Sequence, residues 1–296
     1  MPDANPGLGI RKQIMDTSQA TIALIGHGVM AEAIIGGLIR KGLTPAGQIL
    51  ASGPRADRGE ELSQRYHIQP FTDNRAAAEQ ADVVILSVKP QRLDRVLDNL
   101  RSHIHPEALV ISIVAGASIE KISTQLGHAS VVRAMPNTPG QIGEGITVWT
   151  ASASCSPAQQ EIARQILGAL GQEVFVEEEN YLDMATALSG TGPAYVFMFL
   201  EAMIDAGVHL GFPRRIAEQL VLQTVSGSVE YSRRKKNHPA ALRNEVTSPG
   251  GTSAEAIYYL EKAGFRTAIS RAIWAAYERS QELGKGKPSS QLKENS

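Results

Sequence analysis

Gly26, His27, Gly28, Val29, Met30 and Ala31 close an apolar β run, Thr21 to Gly26, and open a stretch, Val29 to Arg40, whose apolar residues recur at helical spacing. In a strand–turn–helix unit the first glycine permits a tight turn and the second lets a phosphate approach the backbone. A small third residue, here Ala31, lets helix and strand pack, so the spacing is GxGxxA, that of a dinucleotide-binding turn. NAD-specific folds place Asp or Glu at the end of the second strand to hold the ribose hydroxyls. This strand ends Ala51-Ser52-Gly53-Pro54-Arg55, with no carboxylate. A hydroxyl and a guanidinium there suit a 2′-phosphate, because Arg makes charge-assisted, bidentate contacts. The expected cofactor is NADPH, with NADH used less well; the alternative is that Arg55 only begins a solvated helix.

Further along, Ser87, Val88, Lys89 and Pro90 leave a strand at its carboxyl end, the edge where open α/β sheets bind ligands. Pro90 suits the first position of a helix, and Lys89 is read either as a cofactor contact or as an exposed charge. Met135-Pro136-Asn137-Thr138-Pro139 is a rigid turn at the same edge. Two glycine-rich turns, Leu188 to Tyr195 (LSGTGPAY) and Thr247 to Ser253 (TSPGGTS), each lead into a helix. Free N–H groups at such a start, with hydroxyls beside them and a favourable dipole, can bind a carboxylate without a buried lysine or arginine. An ordinary capped helix start is the plainer reading of each.

The elements that must position these groups follow from periodicity. Strands near 21–26, 48–52, 68–71, 83–88 and 109–115 alternate with helices near 29–40, 56–66, 74–80, 91–104 and 118–126, the pattern of a doubly wound parallel sheet. More strands at 130–136, 145–150 and 173–177 flank a helix at 157–170. From residue 180 the pattern is all helical: 181–188, 193–210, 213–232, 239–246, 252–263 and 266–283. The expected organisation is a loose extension over 1–19, an α/β domain over 20–179, an all-α domain over 180–283, and a polar tail over 284–296. The helices carry more apolar surface than a small bundle buries, so self-association through them is expected.

Composition excludes several roles. Lys plus Arg number 29 against 30 Asp plus Glu in 296 residues, so no basic field gathers nucleic acid. The single cysteine, Cys155, cannot form an internal disulfide and shows no metal-ligand spacing, which points to a reducing, cytoplasmic setting and to no metal. The uncharged run from Met184 to Leu200 is interrupted by Ser189, Gly190, Thr191, Gly192 and Pro193. It reads as a loop feeding a buried helix rather than as a membrane span.

Taken together and in this order, GHGVMA at 26–31, SVKP at 87–90, MPNTP at 135–139, LSGTGPAY at 188–195 and TSPGGTS at 247–253 resemble pyrroline-5-carboxylate reductase over about residues 20–283. The resemblance implies a Rossmann-like α/β domain followed by an all-α dimerisation domain, with dimers assembling in fives into a decamer. It implies that pyrroline-5-carboxylate is reduced to proline. Cofactor contacts carry over to residues 26–31, Ser52, Pro54, Arg55, Asn74, Ser87, Val88, Lys89, Pro90, Ile113, Val114 and Ala115. Substrate contacts carry over to Glu179, Ser248, Gly250, Gly251, Thr252 and Ser253, with the Ser253 hydroxyl as the candidate catalytic group at the imine nitrogen. The family usually has threonine in place of Ser253, and Glu245 stands where some members have asparagine. A β-hydroxyacid dehydrogenase would share the architecture but needs a lysine acid/base after the interdomain region, and no lysine occurs between Lys121 and Lys235. A non-catalytic NADP-binding sensor would keep the turn at 26–31 but has no use for the one at 247–253.

Overall fold

A computed structural model describes residues 16–284. The tail and all but the last residues of the expected extension lie outside the described residues. Those last residues are not loose. Asp16 caps a 3-10 turn, Thr17–Gln19, and the fully buried Thr17 donates its hydroxyl to Gln165 Oε1 at 2.9 Å.

The strands β1 (Ile22–Ile25), β2 (Ile49–Ser52), β3 (Gln69–Phe71), β4 (Val83–Leu86), β5 (Leu109–Ser112), β6 (Val131–Met135), β7 (Gly145–Ala151) and β8 (Gly171–Phe175) form one sheet. Their order is β3-β2-β1-β4-β5-β6-β7-β8. Neighbours are parallel from β3 through to β6, but β7 runs antiparallel to β6 and β8 pairs parallel with β7. The expected doubly wound parallel sheet is thus present from β3 to β6, with β7 added antiparallel beside it. The physical cause is the connection from β6 to β7: one 3-10 turn, Thr138–Ile142, ending on Gly143 at φ 79°, is too short for a crossover helix.

Alternate residues of the strands face opposite sides, so Ile22 and Leu24 enter one core while Ala23 and Ile25 enter the other. Helices α1 (Val29–Arg40), α2 (Ala56–Tyr66) and α6 (Pro157–Gly168) close the first face. Helices α3 (Asn74–Ala78), α4 (Leu93–Leu100) and α5 (Ile119–Leu126) close the second. Their starts are set locally: Ser118 accepts from Lys121 N–H, and Ser156 forms a capping box with Gln159.

The remaining helices are α7 (Tyr181–Ala185), α8 (Gly192–His209), α9 (Arg214–Lys235), α10 (Pro239–Glu245), α11 (Thr252–Lys262) and α12 (Phe265–Gly284). By backbone contacts the described chain divides into one unit, residues 16–191 with 276–284, and a second, Gly192–Ala275. Residues 180–191, expected with the helical domain, therefore belong with the sheet, where α7 packs on β6 and β7.

The glycine-rich segment before α8 is not the expected loop. Thr186–Gly190 form one π-helical turn shortly before α8, and the segment Tyr181–His209 is long and apolar enough by length and composition to cross a membrane. Nor is α8 buried within this chain: Phe197 is 59% and Met198 74% exposed. In the second unit only Ala217 and Val221 are buried.

Candidate active site

The last residues of β2, β1, β4 and β5 stand in register, Ile25 beside Ser52 and Leu86, and Leu86 beside Ser112. The segments 52–55, 26–31, 87–90 and 113–115 consequently leave the sheet side by side at one edge, where the strand order reverses. Gly26 has φ 100°, and a Cβ there would stand 2.8 Å from Ser87 O and 2.9 Å from Val88 Cγ1. No other residue fits that turn. Ser87 fastens it from β4, its hydroxyl donating to Gly26 O at 2.6 Å. Gly28 is the N-cap of α1, makes no side-chain cap, and faces open space where its Cβ would be. The first amides of α1 are therefore left for an anion. Ala31 is buried against the sheet, the close packing its small size allows.

At the end of β2, Arg55 is the N-cap of α2, again without a side-chain cap. Arg55 and Lys89 are exposed and meet no partner among the described residues. Two uncapped helix starts with free cations beside them match a ligand carrying a pyrophosphate and a further phosphate. Ser52 takes a different part from the expected one. It is fully buried, and its hydroxyl donates to Asn74 Oδ1 at 2.8 Å, so it fastens Asn74 instead of facing a ligand. Pro54 is exposed beside Arg55, and Pro90 starts a 3-10 turn, Pro90–Arg92, that runs into α4. Of the last segment Val114 is buried in the second core, while Ile113 and Ala115 are partly exposed.

The acidic residue in the first turn of α1, Glu32, does not oppose an anion. It is paired with Arg58, with Arg65 at 2.6 Å and with the Tyr66 hydroxyl at 3.1 Å. Burial disfavours its charged form, but the bonds from Arg58, Tyr66 and Arg65 prevail and hold the carboxyl below its usual range.

In the second unit, Ser248-Pro249-Gly250-Gly251 is a β-turn closed by Gly251 N–H donating to Ser248 O at 3.0 Å. Pro249 sets the first central position, and Gly250, at φ 72°, supplies the positive angle that a type II turn needs at the second. Gly251 is then the N-cap of α11 with no side-chain cap. The amides of Thr252 and Ser253 meet no acceptor among the described residues, and a Cβ on Gly251 would stand 2.7 Å from Ser248 Oγ. This turn leaves backbone donors without a protein acceptor, as the binding of a carboxylate would require. The turn at 188–195 does not: Thr191 N–H is spent on Thr186 O at 2.8 Å inside the π turn. Glu245 is engaged by the Tyr231 hydroxyl at 3.2 Å and by Asn237 Nδ2 at 3.4 Å.

Glu179, expected on the substrate, is occupied within the first unit. Its Oε1 accepts from Ile119 N–H at 2.9 Å and from Arg133 at 3.0 Å. Arg133, buried on β6, also reaches Asp183 at 2.8 Å, which in turn accepts from Ser280 on α12 at 3.0 Å. Sequence reading passed over this cluster because Arg133 lies in an apolar strand, far along the chain from its partners. Within the rigid MPNTP turn, Asn137 Nδ2 donates to Ser189 O at 3.3 Å and its Oδ1 accepts from Ile146 N–H, joining that turn to the π turn.

Residues 179–283 match the family model for pyrroline-5-carboxylate reductase dimerisation, and residues 21–116 match the model for coenzyme F420-dependent NADP oxidoreductases. The pyrroline-5-carboxylate reductase of Synechocystis sp. is 44% identical over 89% of this chain and 98% of its own. That of Escherichia coli K12 is 38% identical over the same shares, 89% and 98%. Among solved structures, the Plasmodium falciparum pyrroline carboxylate reductase with NADP bound superposes with a TM-score of 0.84 at 30% identity, covering 90% of this chain and 99% of the other.

Proposed function

We propose, from the site just described, how this chain, which belongs to the pyrroline-5-carboxylate reductase family, performs the family's reaction. It is an oxidoreductase that reduces 1-pyrroline-5-carboxylate to L-proline. NADPH, when bound, supplies the hydride that adds to the imine carbon. The observation that carries the cofactor reading is the pair of uncapped helix starts at Gly28 and Arg55, one for the pyrophosphate and one, with the Arg55 guanidinium, for the 2′-phosphate. Ser87 holds the dinucleotide turn closed, and Lys89 adds a second cation along the same edge.

The substrate asks little covalent help of the protein; its carboxylate must be held and its nitrogen protonated. The turn 248–251 and the first amides of α11 hold the carboxylate, with Ser248, Gly250, Gly251, Thr252 and Ser253 as the contacting residues. The Ser253 hydroxyl, which keeps the function of the family's threonine, orders or protonates the imine nitrogen. Glu179 serves the site indirectly, by fixing Arg133. The exposed apolar faces of α8, α9, α11 and α12 are the dimerisation surface, and five such dimers make a decamer. The free, buried thiol of Cys155 fits a cytoplasmic enzyme.

The test is oxidation of NADPH followed with pyrroline-5-carboxylate, beside NADP reduction with 3-hydroxy acids. Turnover with the imine alone is the expected result. Activity with the hydroxy acids alone, or with neither, would overturn it.

A further inference from the structure

His27 lies in the middle of the dinucleotide turn, is only 6% exposed, and its Nε2 has no hydrogen-bond partner among the described residues. Buried polar atoms are almost always paired, so an orphan beside a ligand-binding turn marks a group the ligand supplies. Among the described residues two other buried side-chain atoms are unpaired, Gln48 Oε1 and Thr147 Oγ1, and neither belongs to that turn.

The direction of the ring follows from register. Ile25 pairs with Ser52, so the chain leaving β1 at Gly26 and His27 runs beside the chain leaving β2 at Gly53. A Cβ placed on Gly53 would stand 2.3 Å from Nε2, 2.5 Å from Cδ2 and 2.6 Å from Cε1 of His27. Such nearly equal distances put it over the face of the ring and not at its edge. Gly53 thus stacks on the imidazole and leaves the in-plane direction, the one along which Nε2 bonds, unblocked by it. A side chain at position 53 would have to displace the His27 ring, so the glycine lets the ring lie against the turn that carries Pro54 and Arg55.

We propose that His27 acts with Arg55 in distinguishing a dinucleotide with a 2′-phosphate from one with a free 2′-hydroxyl, its Nε2 hydrogen bonding to that phosphate. This rests on the NADPH reading above. A phosphate offers several acceptor oxygens, so the Arg55 fork and the imidazole can both bind it. A ribose hydroxyl is a single small group and cannot satisfy both.

The probes are adenosine 2′,5′-bisphosphate and AMP, titrated calorimetrically into the full-length protein and its His27→Phe variant, which keeps a flat ring and loses the nitrogen. The expected result is a wild type that prefers the bisphosphate at least tenfold, and a variant whose preference falls at least fivefold while its AMP affinity stays within twofold. A second measurement needs no variant to fold: with ¹⁵N-labelled histidine, the assigned His27 Nε2 signal of the wild type shifts with the bisphosphate and not with AMP. A wild type that binds the fragments equally overturns the NADPH reading and the proposal with it. A wild-type preference that survives in His27→Phe, or a His27 signal that moves equally with both fragments, overturns the proposal alone.

Discussion

Replacing Gly251 by valine tests the carboxylate site through its backbone. Gly251 has φ −82° and ψ 166°, which valine adopts without strain. The new Cβ would stand 2.7 Å from Ser248 Oγ and 3.2 Å from Ser248 O, and the exposed hydroxyl can turn aside. The fold should therefore lose no more than about 1 kcal/mol. The isopropyl group, however, would crowd the turn next to the amides of Thr252 and Ser253, and its expected effect is to keep a carboxylate from them. A hydrogen bond to a charged group contributes about 1.5–3 kcal/mol, so losing one raises the KM for pyrroline-5-carboxylate roughly 10- to 150-fold. The cofactor's anion sites lie on the first unit, so NADPH affinity should stay within about twofold of the wild type's on this reasoning. Steady-state kinetics at saturating NADPH, with NADPH affinity measured by fluorescence and folding by thermal melting, separates these effects. A folded variant with an unchanged substrate KM would show that the carboxylate binds elsewhere.

Arg55→Ala should raise the KM for NADPH by the equivalent of about 1–3 kcal/mol while sparing NADH; equal shifts in both would remove Arg55 from the 2′-phosphate. Arg133→Met strands two carboxylates that are 32% and 21% exposed, so of the roughly 3–5 kcal/mol cost of breaking a buried pair the lower end applies. Urea unfolding at fixed protein concentration checks this, and a loss below about 1 kcal/mol would refute it. Burial pushes the His128 imidazole below its ordinary value of 6.5, opposed by its bond to Ala108 O. The unfolded chain therefore takes up a proton first, and stability is lost as pH falls below 6.5, by at most about 1.4 kcal/mol per pH unit. His128→Gln should flatten that slope in urea melts across about pH 5 to 7 if the effect belongs to this residue. Light scattering should give at least twice the 31.7 kDa chain mass, and a monomer at micromolar concentration would contradict the reading of the apolar helices.

Legibility in the sequence followed how local each constraint is. The turn at Gly26 needs a positive φ and a close neighbour, Gly250 needs a positive φ after Pro249, and Pro90 and Ser118 sit at helix starts that suit them. Each of these can be read from a few adjacent letters. Ser52 is less legible, because whether its hydroxyl faces a ligand or Asn74 depends on a loop elsewhere in the chain. Gly190 and Gly192 read as helix breakers, yet the π turn at 186–190 absorbs the irregularity by shifting the hydrogen bonds one residue along. Arg133 shows the same limit from the other side. Nothing in its neighbourhood announces Glu179, Asp183 and Ser280.

The second unit buries only Ala217 and Val221 within its own chain. The sheet unit holds two full cores of its own, whereas the second unit leaves its apolar faces for another molecule to cover. Folding of that half is then a bimolecular event, governed by how much of the protein is present. On the reading proposed above, dilution would then loosen the second unit before the sheet, and carboxylate binding would be lost before dinucleotide binding. Catalytic output would fall more steeply than protein concentration, and mixed pairs with an inactive copy would rescue the fold of a partner even where they do not restore its turnover.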